Sequence, residues 1–269
     1  SGEGLLEENE IFQNGGVANV VLQGGGLEGG VPSINQGPTN PTLSRNHVHD
    51  SKSGVYGILI SGEGCAGLLM ANSIVNNDCA GLKVSHGADP VCKSNRVFDN
   101  VREGVLVTDG GKGNFEGNDV FGNVVVKHSD ATTSSTSGVS HLFTSGTDRT
   151  ECNVTHPTDT PVHHGQVVVT SGGNPLWNEN RVHGSHTDCA GVLVTESGQG
   201  CFTSNEVFDC PHGAGVEIAK GGDPVFRANR IGGCGRAAVH VHSGGLGLLD
   251  SNDVFDVPAI GMLVEGPGD

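Results

Sequence analysis

Proton transfer, metal ligation and nucleophilic attack each need particular side chains. This 269-residue chain supplies mainly carboxylates and imidazoles, with 30 Asp and Glu, 13 His and 8 Cys. Glu217 and His240 are the pair best suited to acid–base work, because a carboxylate and an imidazole in contact can pass a proton near neutral pH. His47, His49 and Asp50 form a second polar group, and His183 with His186 a third. Five more His (His128, His141, His156, His163, His164) crowd one Ser- and Thr-rich segment, where their spacing does not converge the three or four ligands a metal needs. The Cys include no Cys-x-x-Cys pair, so neither a metal site nor a cofactor is signalled.

Glu217 and His240 meet only if the chain stacks residues one repeat apart, and the lettering says that it does. The phrase Gly200-Cys201-Phe202-Thr203-Ser204-Asn205-Glu206-Val207-Phe208 returns as Gly247-Leu248-Leu249-Asp250-Ser251-Asn252-Asp253-Val254-Phe255. Its Asn recurs as Asn9, Asn46, Asn72, Asn95, Asn118, Asn180, Asn205, Asn229 and Asn252, and six of the eight spacings fall between 23 and 26 residues. An apolar residue stands three places before each Asn, a β-branched one two places after, and an apolar triplet such as Val192-Leu193-Val194 follows. Short β-branched runs between turn residues are strands, and the period leaves no room for a crossover helix. The expected fold is all-β: a parallel β-helix of about nine coils with three short strands each, roughly 40 Å long. The nine Asn should form an amide ladder at one bend.

The repeats span residues 1–269, so a single solenoid domain is expected, with insertions at 24–38 and 122–166. The chain starts and stops in mid-coil, which reads as a piece of a longer protein. Cys210 and Cys234 share a register five residues after Asn205 and Asn229, where stacked buried thiols are expected rather than a bridge.

Inside and outside follow from period two. The outer members of each triplet face the core, and the middle members face away: Val21, Leu59, Lys83, Leu106, Val168, Leu193, Glu217, His240 and Leu263. Six of these are apolar, and an apolar stripe on a solenoid is an interaction surface. Glu217 and His240 are neighbours in the same column, whereas Lys83 lies several coils away.

The net charge of −16 repels phosphate backbones and anionic lipid, so nucleic acid is not an expected partner. No 18-residue apolar run is present for membrane insertion, and the compartment is left open with an intracellular one slightly favoured.

Gly4-Leu5-Leu6-Glu7-Glu8-Asn9-Glu10-Ile11-Phe12 and Asn40-Pro41-Thr42-Leu43-Ser44-Arg45-Asn46 resemble the repeats of the carbohydrate-binding and sugar-hydrolase superfamily. Within it they look most like the β-helix domain of F-box-only ubiquitin-ligase substrate receptors. The resemblance implies a right-handed β-helix that binds a substrate protein. The expected function is therefore a non-catalytic interaction scaffold. Its partner would be another protein, held along Val21, Leu59, Leu106, Val168, Leu193 and Leu263 or by the 122–166 insertion. The alternative is a β-helix enzyme acting on acidic glycans, a lyase, epimerase or hydrolase, with carbohydrate as partner and Glu217 and His240 as its acid–base pair.

Overall fold

A computed structural model describes residues 2–24, 27–28, 31–32, 38–124, 165–185 and 188–266. Among them the chain winds into three parallel sheets of nine strands, each strand pairing with its counterparts one turn before and after. The first sheet runs from Leu5–Glu7 to Leu248–Asp250, the second from Glu10–Phe12 to Asp253–Phe255, and the third from Ala18–Gln23 to Ile260–Val264. A small antiparallel pair, Leu27–Glu28 with Val31–Pro32, marks the first insertion. Most of the second insertion, and with it His128, His141, His156, His163 and His164, lies outside the described residues, as does His186. No described helix is long and apolar enough to cross a membrane.

The expected register holds coil by coil. Leu43, Leu69, Cys92, Phe115, Trp177, Phe202 and Phe226 stack inside from the first sheet, against Val48, Ile74, Val97, Val120, Val182, Val207 and Ile231 from the second. Trp177 lies 4.5 Å from Phe115 and 6.1 Å from Phe202, ring centre to ring centre. The nine Asn form one continuous ladder, each Nδ2 donating to the Oδ1 of the next at 2.8–3.0 Å. The residue just before each Asn adopts a left-handed conformation, as Ala71 (φ 55°) and Ala228 (φ 53°) do, which turns the chain from the first sheet into the second.

A second amide ladder was not expected. Asn19, Asn77, Asn100, Asn123 and Gln166 are linked side chain to side chain at 2.8–3.0 Å. It forms at the turn into the third sheet, where two successive residues point inward and period two breaks. A Cβ on Gly81 would lie 2.6 Å from Asn100 Nδ2, and one on Gly104 would lie 2.5 Å from Asn123 Nδ2. Only glycine lets the backbone come this close. Cys210 and Cys234 occupy the same place in later coils, in register and unbridged. The Cys234 thiol and burial together push the Cys210 thiol well above its ordinary value.

The apolar stripe needs correction. Its nine members do stack in the predicted column of the third sheet. They are not an open surface: Leu106, Val168 and Leu193 are buried, Leu193 to 2% exposure, while Leu59 and Leu263 are half-buried and Val21 is 42% exposed. The double inward step is the physical reason. It places Tyr56, Ala80 and Ala190 on the outer side, where they form a second apolar cluster with Leu59, Leu106, Val168 and Leu193.

Candidate functional site

Beyond Leu193 the outer column of the third sheet changes from apolar to ionisable. In Ala214–Ile218, Val216 and Ile218 face the core and turn Glu217 outward; in Ala237–Val241, Val239 and Val241 do the same for His240. Parallel pairing sets Glu217 against His240, with Leu193 below and Leu263 above. His242 lies two residues beyond His240 and so projects from the same face. Glu265 is fixed by its backbone N–H, which donates to Val241 O at 2.8 Å.

These four side chains form a contiguous network. His242 Nε2 lies 2.9 Å from Glu217 Oε1, and His240 Nε2 lies 2.6 Å from Glu265 Oε2. The two imidazoles stack with centroids 4.3 Å apart. Glu217 and His240 are buried, to 5% and 1% exposure, whereas His242 is half-buried and Glu265 is open. The network is thus closed at the back and open on the His242–Glu265 side. The hydrogen bond from His240 holds the Glu265 carboxyl below its ordinary value. His240 Nδ1 is buried without a hydrogen-bond partner. Ligand atoms from Glu217, His240 and His242 all fall within 4.8 Å of one another.

The structure therefore brings the predicted Glu217 and His240 together, but buried rather than on a solvated face, and it adds His242 and Glu265. A usable signal was present in the sequence: His240-Val241-His242 puts two imidazoles on one side of a strand, and Glu217 stands one coil earlier in register with the first. Among the described residues the same constellation occurs once more. His47-Val48-His49 faces Glu10 in register, and the three also come within 4.8 Å. There Glu10 and His47 are exposed, His49 Nδ1 lies 2.7 Å from Asp50 and His49 Nε2 lies 3.2 Å from Glu10. His183 bonds Asp119 at 3.0 Å, and Lys83 lies over the Tyr56 ring. Neither joins the cluster.

Sequence reasoning also missed a column on the outer face of the second sheet. Phe98, Phe121, His183 and Phe208 stack at 4.6–5.1 Å, with Arg96 over Phe98 and Phe121, Arg181 over Phe208 and Arg230 over Phe255. The signal was the residue three places after each Asn, mostly Phe or His. This column belongs to a different sheet from the cluster.

No curated protein sequence matches the chain. Among solved structures, the A-module of the Azotobacter vinelandii mannuronan C-5 epimerase AlgE4 superposes with a TM-score of 0.56 at 15% identity. The match covers 85% of this chain and 56% of that one, so the chain spans little more than half the epimerase module's length. The AlgE6 A-module of the same organism gives a TM-score of 0.38 at 10% identity, over 99% of this chain and 91% of that one. A family profile described as "Right handed beta helix region" matches residues 1–140 and 165–268, and the chain belongs to that family.

Proposed function

We infer that the chain is a polysaccharide-active β-helix whose reacting centre is the Glu217–His240–His242–Glu265 cluster, working on an acidic glycan. The observation that carries this reading is the pairing of two imidazoles with two carboxylates, at 2.9 and 2.6 Å, on one face. An imidazole paired with a carboxylate is a competent proton acceptor, because the carboxylate stabilises the imidazolium that forms. On a uronate the relevant step is removal of the proton α to the carboxylate. Return of a proton to the opposite face inverts that carbon, whereas loss of the neighbouring glycosidic oxygen cleaves the chain. The His240–Glu265 pair, open to solvent at Glu265, would take the proton, with Glu217 and His242 beside it. The shared architecture with a mannuronan C-5 epimerase module supports the reading at the level of fold.

The scaffold alternative relied on an open apolar stripe, and the stripe's central members are buried. The experiment is a turnover screen of the chain on acidic polysaccharides, read by proton NMR for inversion and by ultraviolet absorbance for elimination. Glu217→Gln and His242→Ala should each lower turnover by about 10²-fold or more. Turnover that both variants leave unchanged, or none on any acidic glycan, would remove the reading.

A further inference from the structure

The cluster has an electrostatic difficulty that its geometry resolves. Two carboxylates, Glu217 and Glu265, line the site on a chain of net charge −16, so an anionic sugar approaching it meets repulsion. Arg236 offsets part of this at Glu265, and the paired imidazoles are suited to hold a further cation. In His240, Nε2 is engaged by Glu265, which leaves the lone pair on Nδ1, the atom that is buried without a partner. An unpaired polar atom in such a place is costly unless something meets it. In His242, Nδ1 is held by Ser243 Oγ at 2.9 Å, and Nε2 faces Glu217. Each imidazole thus has one nitrogen fixed by an oxygen, and one ligand atom from each ring and from Glu217 lies within 4.8 Å of the others. Metal-binding histidines show this outer-sphere arrangement, which fixes the tautomer and orients the ring.

We propose that Glu217, His240 and His242 bind one divalent transition-metal ion of the zinc type, through Glu217 Oε1, His240 Nδ1 and His242 Nε2. Glu265 and Ser243 support the two rings from outside. Two imidazoles and a carboxylate are a donor set for zinc, cobalt or iron(II) rather than for calcium, which takes oxygen ligands. Bonds of about 2.0 Å in a tetrahedron put ligand atoms roughly 3.3 Å apart, and one ligand atom from each of the three residues already lies within 4.8 Å of the others. Three protein ligands leave a fourth position on the open side, where a uronate carboxylate or a water would sit. The proposal rests on the preceding section for the sugar but not for the ion. The Glu10–His47–His49 group is the internal comparison: both nitrogens of His49 already have carboxylate partners, and the group is largely exposed.

The test is titration of the chain with Co²⁺, read by its visible absorption, and with Zn²⁺, read by competition with a chromophoric chelator, both without glycan. One equivalent should bind with tetrahedral cobalt bands. His240→Ala should weaken zinc binding by about 100-fold or more and Glu265→Gln by about 10–100-fold. The double variant Glu10→Gln/His47→Ala should leave it unchanged. Glu265 is exposed, so its variant keeps the fold; circular dichroism checks His240→Ala. Absence of one-to-one binding, or binding abolished by the Glu10/His47 variant and not by His240→Ala, overturns the proposal. Ion binding without turnover on any glycan would uphold the site and remove only the enzymatic reading.

Discussion

Gln166 meets Asn123 with both ends of its side-chain amide: its Oε1 accepts from Asn123 Nδ2 at 2.9 Å, and its Nε2 donates to Asn123 O at 3.1 Å. The contact explains a compensation along the solenoid. The residue five places after each ladder Asn is Asn77, Asn100 or Asn123 where the facing position is Gly57, Gly81 or Gly104. Where that residue is Ser51 or Ser185, too short to reach, the position facing it in the coil before is Asn19 or Gln166. From Asn19 to Gln166 one amide is kept per level, from either side, before Cys210 and Cys234 take the place over.

Removing either half of this arrangement should be costly. Gln166→Ala leaves buried Asn123 groups unpaired and should cost about 1–3 kcal/mol. Gly104→Ala drives a methyl to 2.5 Å from Asn123 Nδ2 and should cost about as much. Combining Gly104→Ala with Asn123→Ser should cost less than the two singles summed, measured by chemical denaturation in a double-mutant cycle.

Leu193→Asp tests the corrected account of the outer column. An open stripe would tolerate the carboxylate; a site at 2% exposure should not. The expected loss is about 3 kcal/mol or more, from lost burial plus an unpaired buried charge. A midpoint within error of the parent's would restore the open surface.

Ala228→Gly should stabilise. Ala228 holds φ at 53°, a conformation that costs a residue with a Cβ about 1–2 kcal/mol. The greater freedom of glycine in the unfolded chain offsets part of this, so the net gain should be about 0.5–1 kcal/mol. The thermal midpoint is the readout, and a fall would mean that the methyl group packs.

Glu265 gives a pH dependence with a definite sign. Its carboxyl is held below the ordinary value by the hydrogen bond from His240. Its contribution is therefore present above the ordinary Glu range and is lost as pH falls through the lower folded value. Carbon-detected NMR of the metal-free chain should place the Glu265 midpoint below that of an ordinary Glu, and His240→Ala should return it there. An unmoved midpoint in the variant would show that His240 is not the cause.

The fold was legible because a solenoid spells its own register. An Asn preceded by Leu or Phe and followed by Val fixes three sheets at once, and nine copies average out exceptions such as Cys92. The stripe was misread because residues turned away from the main core were taken to face solvent, whereas the step at Gly81 and Leu82 sets Tyr56, Ala80 and Ala190 against them. The glycines marked that step, but their reason lay one coil away in Asn100. The cluster was half legible: Glu217 and His240 follow from the column, whereas Glu265 follows the last strand and is placed by a backbone bond to Val241 that no spacing announces.

Trp177 is the chain's only tryptophan, and it is the first aromatic inside the core after the 122–166 insertion. Its ring lies between Phe115, from before the insertion, and Phe202, from after it. Its fluorescence therefore reports on a single joint, the docking of the earlier coils onto the later ones. A red shift in emission that precedes the loss of β-sheet dichroism during unfolding would show the rod parting at that joint first, without any label having been added.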